Sequence, residues 1–193
     1  MQVLGSEDYE KIWLLERGII DHVGSIYDED ARQLGVCLDR IEELNRIGNL
    51  GLDTVRIRMW SSPGGGVGAG LAAYDYIRNF AARTGMTIQV EVYGMAASAA
   101  AMILLQAGDK RLASISSTFL LHEVRQMNGW DTDTYSDIVD KKEGMDMVTK
   151  IVYNIMALKS GKTYDEVFAH IDRREAWMTF DEAMEWGLID GSV

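Results

Sequence analysis

The sequence has almost none of the residues that cross-link or interrupt a polypeptide chain. Its single cysteine, Cys37, excludes an intrachain disulfide, so a reducing cytoplasm is the expected compartment. Cys37 lies in a helical pattern, where we expect it to act as a small buried hydrophobic residue. Proline occurs once, at Pro63, and this position is therefore expected to be a turn with a specific purpose.

Positive charge and long apolar runs are also scarce. The 19 Lys and Arg against 30 Asp and Glu give a formal net charge of -11, which argues against a nucleic-acid partner. No run of about 18 apolar residues occurs, so no membrane span is expected. The N-terminal stretch MQVLGSEDYEKIW lacks a basic region followed by an apolar run, so no signal peptide is expected either. The 3 histidines are far apart in the sequence, and no zinc-ligand spacing is present.

Strand-like and helix-like segments alternate along the chain. Residues 55–59 alternate apolar side chains with arginine, whereas residues 30–47 repeat apolar side chains at helical spacing. The predicted strands are 19–24, 55–59, 87–93 and 117–124. The predicted helices are 30–47, 71–83, a small-residue helix from Ser98 to about Gly108, 134–160, 164–170 and 180–186. This alternation predicts the α/β class, and 193 residues suit a single domain over residues 1–193.

A glycine-rich loop lies between the strand at 55–59 and the next helix, and residues 60–70 read WSSPGGGVGAG. Consecutive glycines allow close approach of the backbone to a ligand. The ligand could be a phosphate at a helix N-terminus or the oxyanion of an acyl transfer, and a plain flexible turn is also open. Arginines in the preceding strand and the lack of a following Lys-Ser/Thr argue against a nucleotide.

Ser98 is the one aliphatic hydroxyl in the stretch YGMAASAAAMI. It lies where a strand gives way to a helix, and the flanking alanines suit a tight corner that leaves the hydroxyl open to a substrate. The N–H groups of Ala99 and Gly65 could then hold an oxyanion. An ordinary helix N-cap serine is the alternative interpretation.

His122 lies in the apolar stretch FLLHE, which is strand-like and would place it on one face with Leu120 and Val124. A lone histidine in such a strand is commonly a satisfied core or interface group. A reactive serine needs a base, however, and an imidazole is the usual one. Among the histidines, His22 and His170 are weaker candidates for this role.

Together these segments resemble the Clp protease proteolytic subunits, a family of serine peptidases. SSPGGGVGAGLAAYDYIR is similar to the SPGG segment of the family, GMAASAAAM to its nucleophile segment, and STFLLHEV to its histidine strand. MTFDEAMEWGLID is similar to the closing segment, and GSIYD to an early turn. The likeness covers roughly residues 12 to 191, with the motifs in the family's order.

The resemblance implies Ser98 as nucleophile, His122 as general base, and the N–H groups of Gly65 and Ala99 as the oxyanion hole. It implies substrate binding at the glycine loop, with Gly64 and Gly66 beside the oxyanion donor. The implied fold is the spiral of repeated strand–strand–helix units shared with crotonases. The helix at about 134–160 would be the protruding handle that joins two heptameric rings into a tetradecamer around a chamber.

The third triad member departs from the family pattern, which has an aspartate shortly before the closing segment. Counting back from Glu182 and Ala183 reaches Glu175, which we predict as the third member, with Asp172 as the alternative. The segment before the early turn is short, which argues against an AAA+ unfoldase partner and suits a divergent or phage-type relative. No metal or organic cofactor is expected.

The sequence therefore predicts a serine endopeptidase that cleaves unfolded polypeptides inside an oligomeric chamber. Two alternatives remain. One is a non-catalytic structural subunit of a similar ring, in which Ser98 and His122 serve only packing. The other is a crotonase-type acyl-CoA enzyme, which also uses paired backbone donors but relies on acidic catalysts.

Overall fold

A computed structural model describes residues 6–125, 134–172 and 174–193. The helices are α1 Ser6–Leu15, α2 Asp28–Gly48, α3 Val67–Thr84, α4 Tyr135–Ser160, α5 Tyr164–Ile171 and α6 Phe180–Trp186. The strands are β1 Ile19–Val23, β2 Thr54–Ser62, β3 Thr87–Ala97, β4 Lys110–Ala113, β5 Thr118–Leu121, β6 Ala176–Met178 and β7 Gly191–Ser192. A π-helical turn at Ala100–Leu104 and a 3-10 turn at Leu105–Ala107 follow β3. No helix in these described ranges is long and apolar enough to cross a membrane.

The strands of the described chain form one sheet in the order β1-β2-β3-β4-β7, with neighbouring strands parallel. The C-terminal end of β3 also pairs with β5, and β6 adds antiparallel to β5. The mixture of a largely parallel sheet and helices confirms the predicted α/β class. The β3–β5 pairing sets the site, because it brings the residues after both strands to the same edge of the sheet.

One face of the sheet is apolar and carries the core. Ile57 and Val90 are fully buried there, beneath helices whose apolar faces include Leu38 of α2 and Ile77 of α3. The opposite face of β2 carries Arg56 and Arg58, the arginines that argue against a nucleotide at the glycine loop. Each arginine makes a paired hydrogen bond to a carboxylate on a neighbouring strand, Arg56 to Glu91 and Arg58 to Asp21.

Three helices of the C-terminal half begin with the same local signal. Thr134, Thr163 and Thr179 each accept a hydrogen bond from the backbone N–H three residues later, and the acidic side chain there bonds back. This capping box satisfies N–H groups that an open helix end leaves without partners. It fixes the starts of α4, α5 and α6 close to the positions predicted from the sequence.

Several predicted boundaries were wrong. The helix expected from residue 71 begins at Val67, because Gly68 and Gly70 are accommodated inside it. A Cβ at Gly70 would lie 3.2 Å from Ile103 Cδ1, so glycine serves close packing against the π-helical turn. The strand expected over 117–124 ends at Leu121, and His122 therefore follows the strand instead of sharing a face within it. Sequence reasoning did not predict α1, β4, β6 or β7.

Candidate active site

Ser98 occupies a sharp corner at the end of β3. Its φ of 54° is left-handed, a conformation that costs a residue with a side chain roughly 1–2 kcal/mol. The corner is held from both sides, since Ser98 N–H donates to Leu120 O at 2.8 Å and Ser98 O accepts from Met102 N–H at 2.9 Å. Ala97 and Ala99 are buried on either side. The corner between strand and helix lies where the sequence predicted it, and the role of Ser98 as a nucleophile stays a prediction.

The glycine loop packs directly against this corner. A Cβ at Gly64, where φ is 91°, would lie 2.6 Å from both Ala97 O and Ser98 Cβ. A Cβ at Gly65 would lie 2.1 Å from Ile26 O. Ile26 N–H donates to Gly64 O at 2.9 Å, and Gly66 N–H donates to Ile26 O at 2.8 Å. The loop is therefore clamped between Ile26 and Ser98, and neither Gly64 nor Gly65 has room for a side chain.

A cavity of about 340 Å³ unites four of the predicted site residues, namely Ser98, Ala99, Gly65 and His122. Ala99 stands at the start of the helical turn after Ser98, where backbone N–H groups have no partner within the helix. The remaining wall is largely apolar, with Val67, Met102, Ile103, Val124 and Val152. The arrangement offers a hydroxyl, an imidazole and backbone donors around one enclosed space.

Gly64 and Gly66 were predicted to bind substrate, and the structure places them beside the cavity wall and not among its lining residues. Gly64 supports Ser98 by close contact, and the Gly66 N–H already bonds to Ile26 O. Their substrate contacts therefore stay a prediction.

His122 reaches the cavity from the segment after β5 and is half-buried. Its Nδ1 lies 2.6 Å from Glu123 O. Since a carbonyl oxygen can only accept, Nδ1 carries the proton and Nε2 is the acceptor, which is the atom a general base uses. No hydrogen bond joins His122 to Ser98 in the described part of the chain, and catalytic hydrogen bonds are commonly long before substrate binds.

The two candidate carboxylates have different surroundings. Glu175 precedes β6 and accepts a hydrogen bond from Arg125 Nη2 at 2.8 Å. That hydrogen bond lowers the pKa of Glu175, and the charges of Arg125 and His122 act in the same direction. Glu175 therefore lies within the electrostatic reach of His122, although its hydrogen bond goes to Arg125. Asp172 ends α5, where its N–H donates to Phe168 O at 2.8 Å.

Arg125 and Ile26 are the site components that sequence reasoning missed. Arg125 lines the cavity and pairs with Glu175, and its charge three residues after His122 was the available signal. Ile26 acts only through its backbone, so no side-chain pattern could have indicated it. Within the described ranges, no group of three or more His, Cys, Asp or Glu could hold a metal ion.

Comparison with known proteins shows which family this chain is similar to. The family model described as Clp protease matches residues 10–193. Two curated relatives from Bacteroides fragilis, strains ATCC 25285 and YCH46, are 39% identical over 131 residues. One from Bacteroides thetaiotaomicron is 38% identical over 131 residues. All three are named ATP-dependent Clp protease proteolytic subunit. The alignments cover 67% of this chain and 56 to 59% of the relatives' own lengths.

Proposed function

Because this chain belongs to the Clp protease family, we propose that it is a serine endopeptidase with Ser98 as nucleophile and His122 as general base. One observation carries the assignment of residues. The left-handed corner at Ser98 faces a cavity that His122, Gly65 and Ala99 also line. A helix N-cap serine needs neither a left-handed backbone nor an imidazole across an enclosed space.

In the proposed reaction, Ser98 Oγ attacks the carbonyl carbon of a peptide bond while His122 Nε2 takes the hydroxyl proton. The N–H groups of Gly65 and Ala99 bind the resulting oxyanion, a contribution of roughly 3–4 kcal/mol per donor. His122 then gives its proton to the leaving amine, and an acyl-enzyme on Ser98 remains. Water, deprotonated by His122, releases the acyl group and restores the serine.

Glu175 is the proposed third member. A carboxylate on Nδ1 would orient the imidazole and stabilise its cation. In the present structure His122 Nδ1 is hydrogen-bonded to Glu123 O, and Glu175 is hydrogen-bonded to Arg125. Glu175 must therefore leave Arg125 before it can bond to His122. Asp172 is the alternative, and it lies at the end of α5 without a place among the cavity-lining residues.

The proposed substrate is an extended, unfolded polypeptide that pairs with the strand edge beside the glycine loop. Several apolar side chains line the cavity, including Val67, Met102 and Val152, and they suit an apolar side chain next to the cleaved bond. No cofactor is needed for this chemistry. Any ATP consumption would belong to a separate unfoldase.

We propose that the chain works as stacked heptameric rings. The support is α4, whose C-terminal half is packed against the core at Val152 and Met156. Its N-terminal half leaves Tyr135 83%, Ile138 56% and Met147 66% exposed. Exposed apolar side chains along one helix indicate a partner surface.

Native mass spectrometry tests the ring. It should give a mass near that of 14 chains, and a monomer at working concentration would refute the ring.

The test of the peptidase is labelling by a fluorophosphonate probe, followed by mass spectrometry of the labelled peptide. We expect labelling at Ser98 that disappears in Ser98→Ala and falls steeply in His122→Ala. His170→Ala is the matched control, because His170 does not line this cavity, and its labelling should equal that of the unmodified protein. Labelling at another serine, or none in an assembled ring, would overturn the proposal.

A non-catalytic ring subunit is the second candidate, and one observation favours it. The proposed third triad member, Glu175, accepts its hydrogen bond from Arg125 and not from His122. A silent subunit predicts no labelling in any assembly state. The same probe experiment therefore separates the two functions.

A further inference from the structure

A second cavity, which we call the His22 cavity, opens between α1, β1 and α2 and has a volume of about 430 Å³. None of its lining residues is shared with the cavity at Ser98. Part of its wall is apolar, with Leu14, Leu15, Ile20 and Leu34, and the rest carries polar and charged side chains. This size and lining are typical of sites that bind small molecules.

Two residues that line this space, His22 and Gln33, each carry a buried acceptor without a partner among the described residues. His22 is only 8% exposed, and its Nε2 has no hydrogen-bond partner among the described residues. The same holds for Gln33 Oε1. Nearly all buried polar groups in folded proteins are paired, because an unpaired one loses its hydration without compensation. Two such atoms on residues of one cavity wall therefore point to a ligand with hydrogen-bond donors.

The His22 ring presents an acceptor toward a ligand. Burial lowers its pKa, although the charge of Asp30 and a backbone hydrogen bond at Gly24 act in the opposite direction. The ring is therefore neutral near pH 7. A neutral imidazole has one lone-pair nitrogen, and Nε2 is the ring nitrogen that has no partner among the described residues.

The charged groups around the cavity favour a cation over an anion. Glu10, Asp21 and Asp30 contribute three carboxylates, and Lys11 is the one lysine or arginine among the described lining residues. Asp21 is already bonded to Arg58, and Asp30 Oδ2 already accepts the Tyr27 backbone N–H at 2.9 Å. Glu10 is therefore the rim carboxylate best placed to meet a ligand. A ligand with a positive group is attracted to this rim, and a carboxylate is repelled.

We propose that the His22 cavity binds a small organic amine, with its apolar ring or chain against the leucine and isoleucine walls. A protonated amino group carries three donors. These donors match His22 Nε2, Gln33 Oε1 and a carboxylate of the rim. The proposed site is separate from the peptidase chemistry and does not depend on it.

The test uses 2-phenylethylamine as the probe, titrated into the full chain and followed by calorimetry and by amide NMR shifts. We expect saturable binding of one probe per chain, with the largest shifts in β1 and α2. The matched anion 3-phenylpropionate, which has the same ring and a carboxylate, should bind at least about tenfold more weakly. Absence of saturable amine binding, or equal binding of the anion, would overturn the proposal.

Variants locate the site. Gln33→Leu removes one acceptor and should weaken the amine by roughly tenfold, whereas Gln33→Glu adds a charge and should strengthen it. His22→Leu should weaken amine binding as well. If that variant does not fold, the two Gln33 variants still test the proposed site. Tyr76→Phe, in the separate groove between α2 and α3, is the control and should leave the affinity unchanged. Equal affinity in both Gln33 variants would contradict the assignment.

Discussion

The two halves of the candidate active site are built in different ways. The Ser98 half is held by backbone contacts, in which Ile26 clamps the glycine loop and Leu120 holds the serine corner. The acid–base half consists of side chains, and its ion pair between Arg125 and Glu175 is 60% and 49% exposed. Backbone clamps would fix the proposed oxyanion donors before substrate arrives, whereas exposed side chains can exchange partners.

The difference indicates which half a partner or substrate could control. Moving the proposed oxyanion donors, Gly65 and Ala99, would require the β3–β5 pairing or the Ile26 bridge to break. Aligning His122 with Glu175 requires only that two hydrogen bonds change. One joins the His122 ring to the backbone Glu123 O, and the other joins Arg125 to Glu175. We therefore expect the Ser98 half to be rigid and the His122 half to be the adjustable one.

The largest effect is expected from Gly64→Ala, which disturbs the backbone contacts of the Ser98 half. Its Cβ would lie 2.6 Å from Ala97 O, at a φ of 91°. Left-handed strain and the clash should together lower the free energy of unfolding by roughly 3 kcal/mol. Displacement of Ser98 and the oxyanion donors should reduce peptidase kcat/KM by at least about 1,000-fold. Urea unfolding and peptide hydrolysis measure the two effects.

Gly66→Ala is the matched control for this substitution. Its φ is -67°, and a Cβ there would be 3.8 Å from its nearest neighbours, an ordinary contact. We expect near-normal stability and activity, because the Gly66 N–H bond to Ile26 is kept. If both alanine variants behave alike, the backbone half is not clamped as the structure indicates.

Glu175→Gln should give the next largest effect, on activity alone. The amide cannot stabilise an imidazolium on His122, so kcat should fall by at least about 100-fold while KM and the urea midpoint stay close to normal. Asp172→Asn is the comparison and should leave kcat unchanged. The reverse result, with loss only in Asp172→Asn, would move the third role to Asp172.

Arg125→Ala should give the smallest effect and a specific pH signature. Arg125 lowers the pKa of Glu175 by its hydrogen bond, so its removal lets that pKa rise toward the usual value. Since the ionised carboxylate is the useful form, the part of the acid-side loss of kcat/KM that comes from protonation of Glu175 should begin at higher pH. Activity at pH 8 should stay within a few-fold of the unmodified protein or exceed it.

Arg125→Lys keeps the positive charge and is the control for this change. We expect its acid limb to lie between those of the unmodified protein and Arg125→Ala. An acid limb that does not move in Arg125→Ala would show that Glu175 does not govern the profile.

The sequence predicted the elements with strong local signals. The alternation over 55–59, the helix near 134–160 and the last two helices were confirmed, since side-chain period and capping residues act over a few neighbours. The segments that escaped prediction were short or depended on distant pairing. β6 and β7 have only 3 and 2 residues, and they are strands because β5 and β4 lie beside them.

By itself, the sequence determined the chemistry available to this protein, namely a serine between alanines, a histidine in an apolar stretch and a loop of consecutive glycines. These follow from residue type and short-range order. Only the tertiary structure decided that Ile26 clamps the loop, that Leu120 holds Ser98, and that Arg125 holds Glu175. Such contacts join positions far apart in the chain, and their geometry depends on how the strands pair and not on any local pattern.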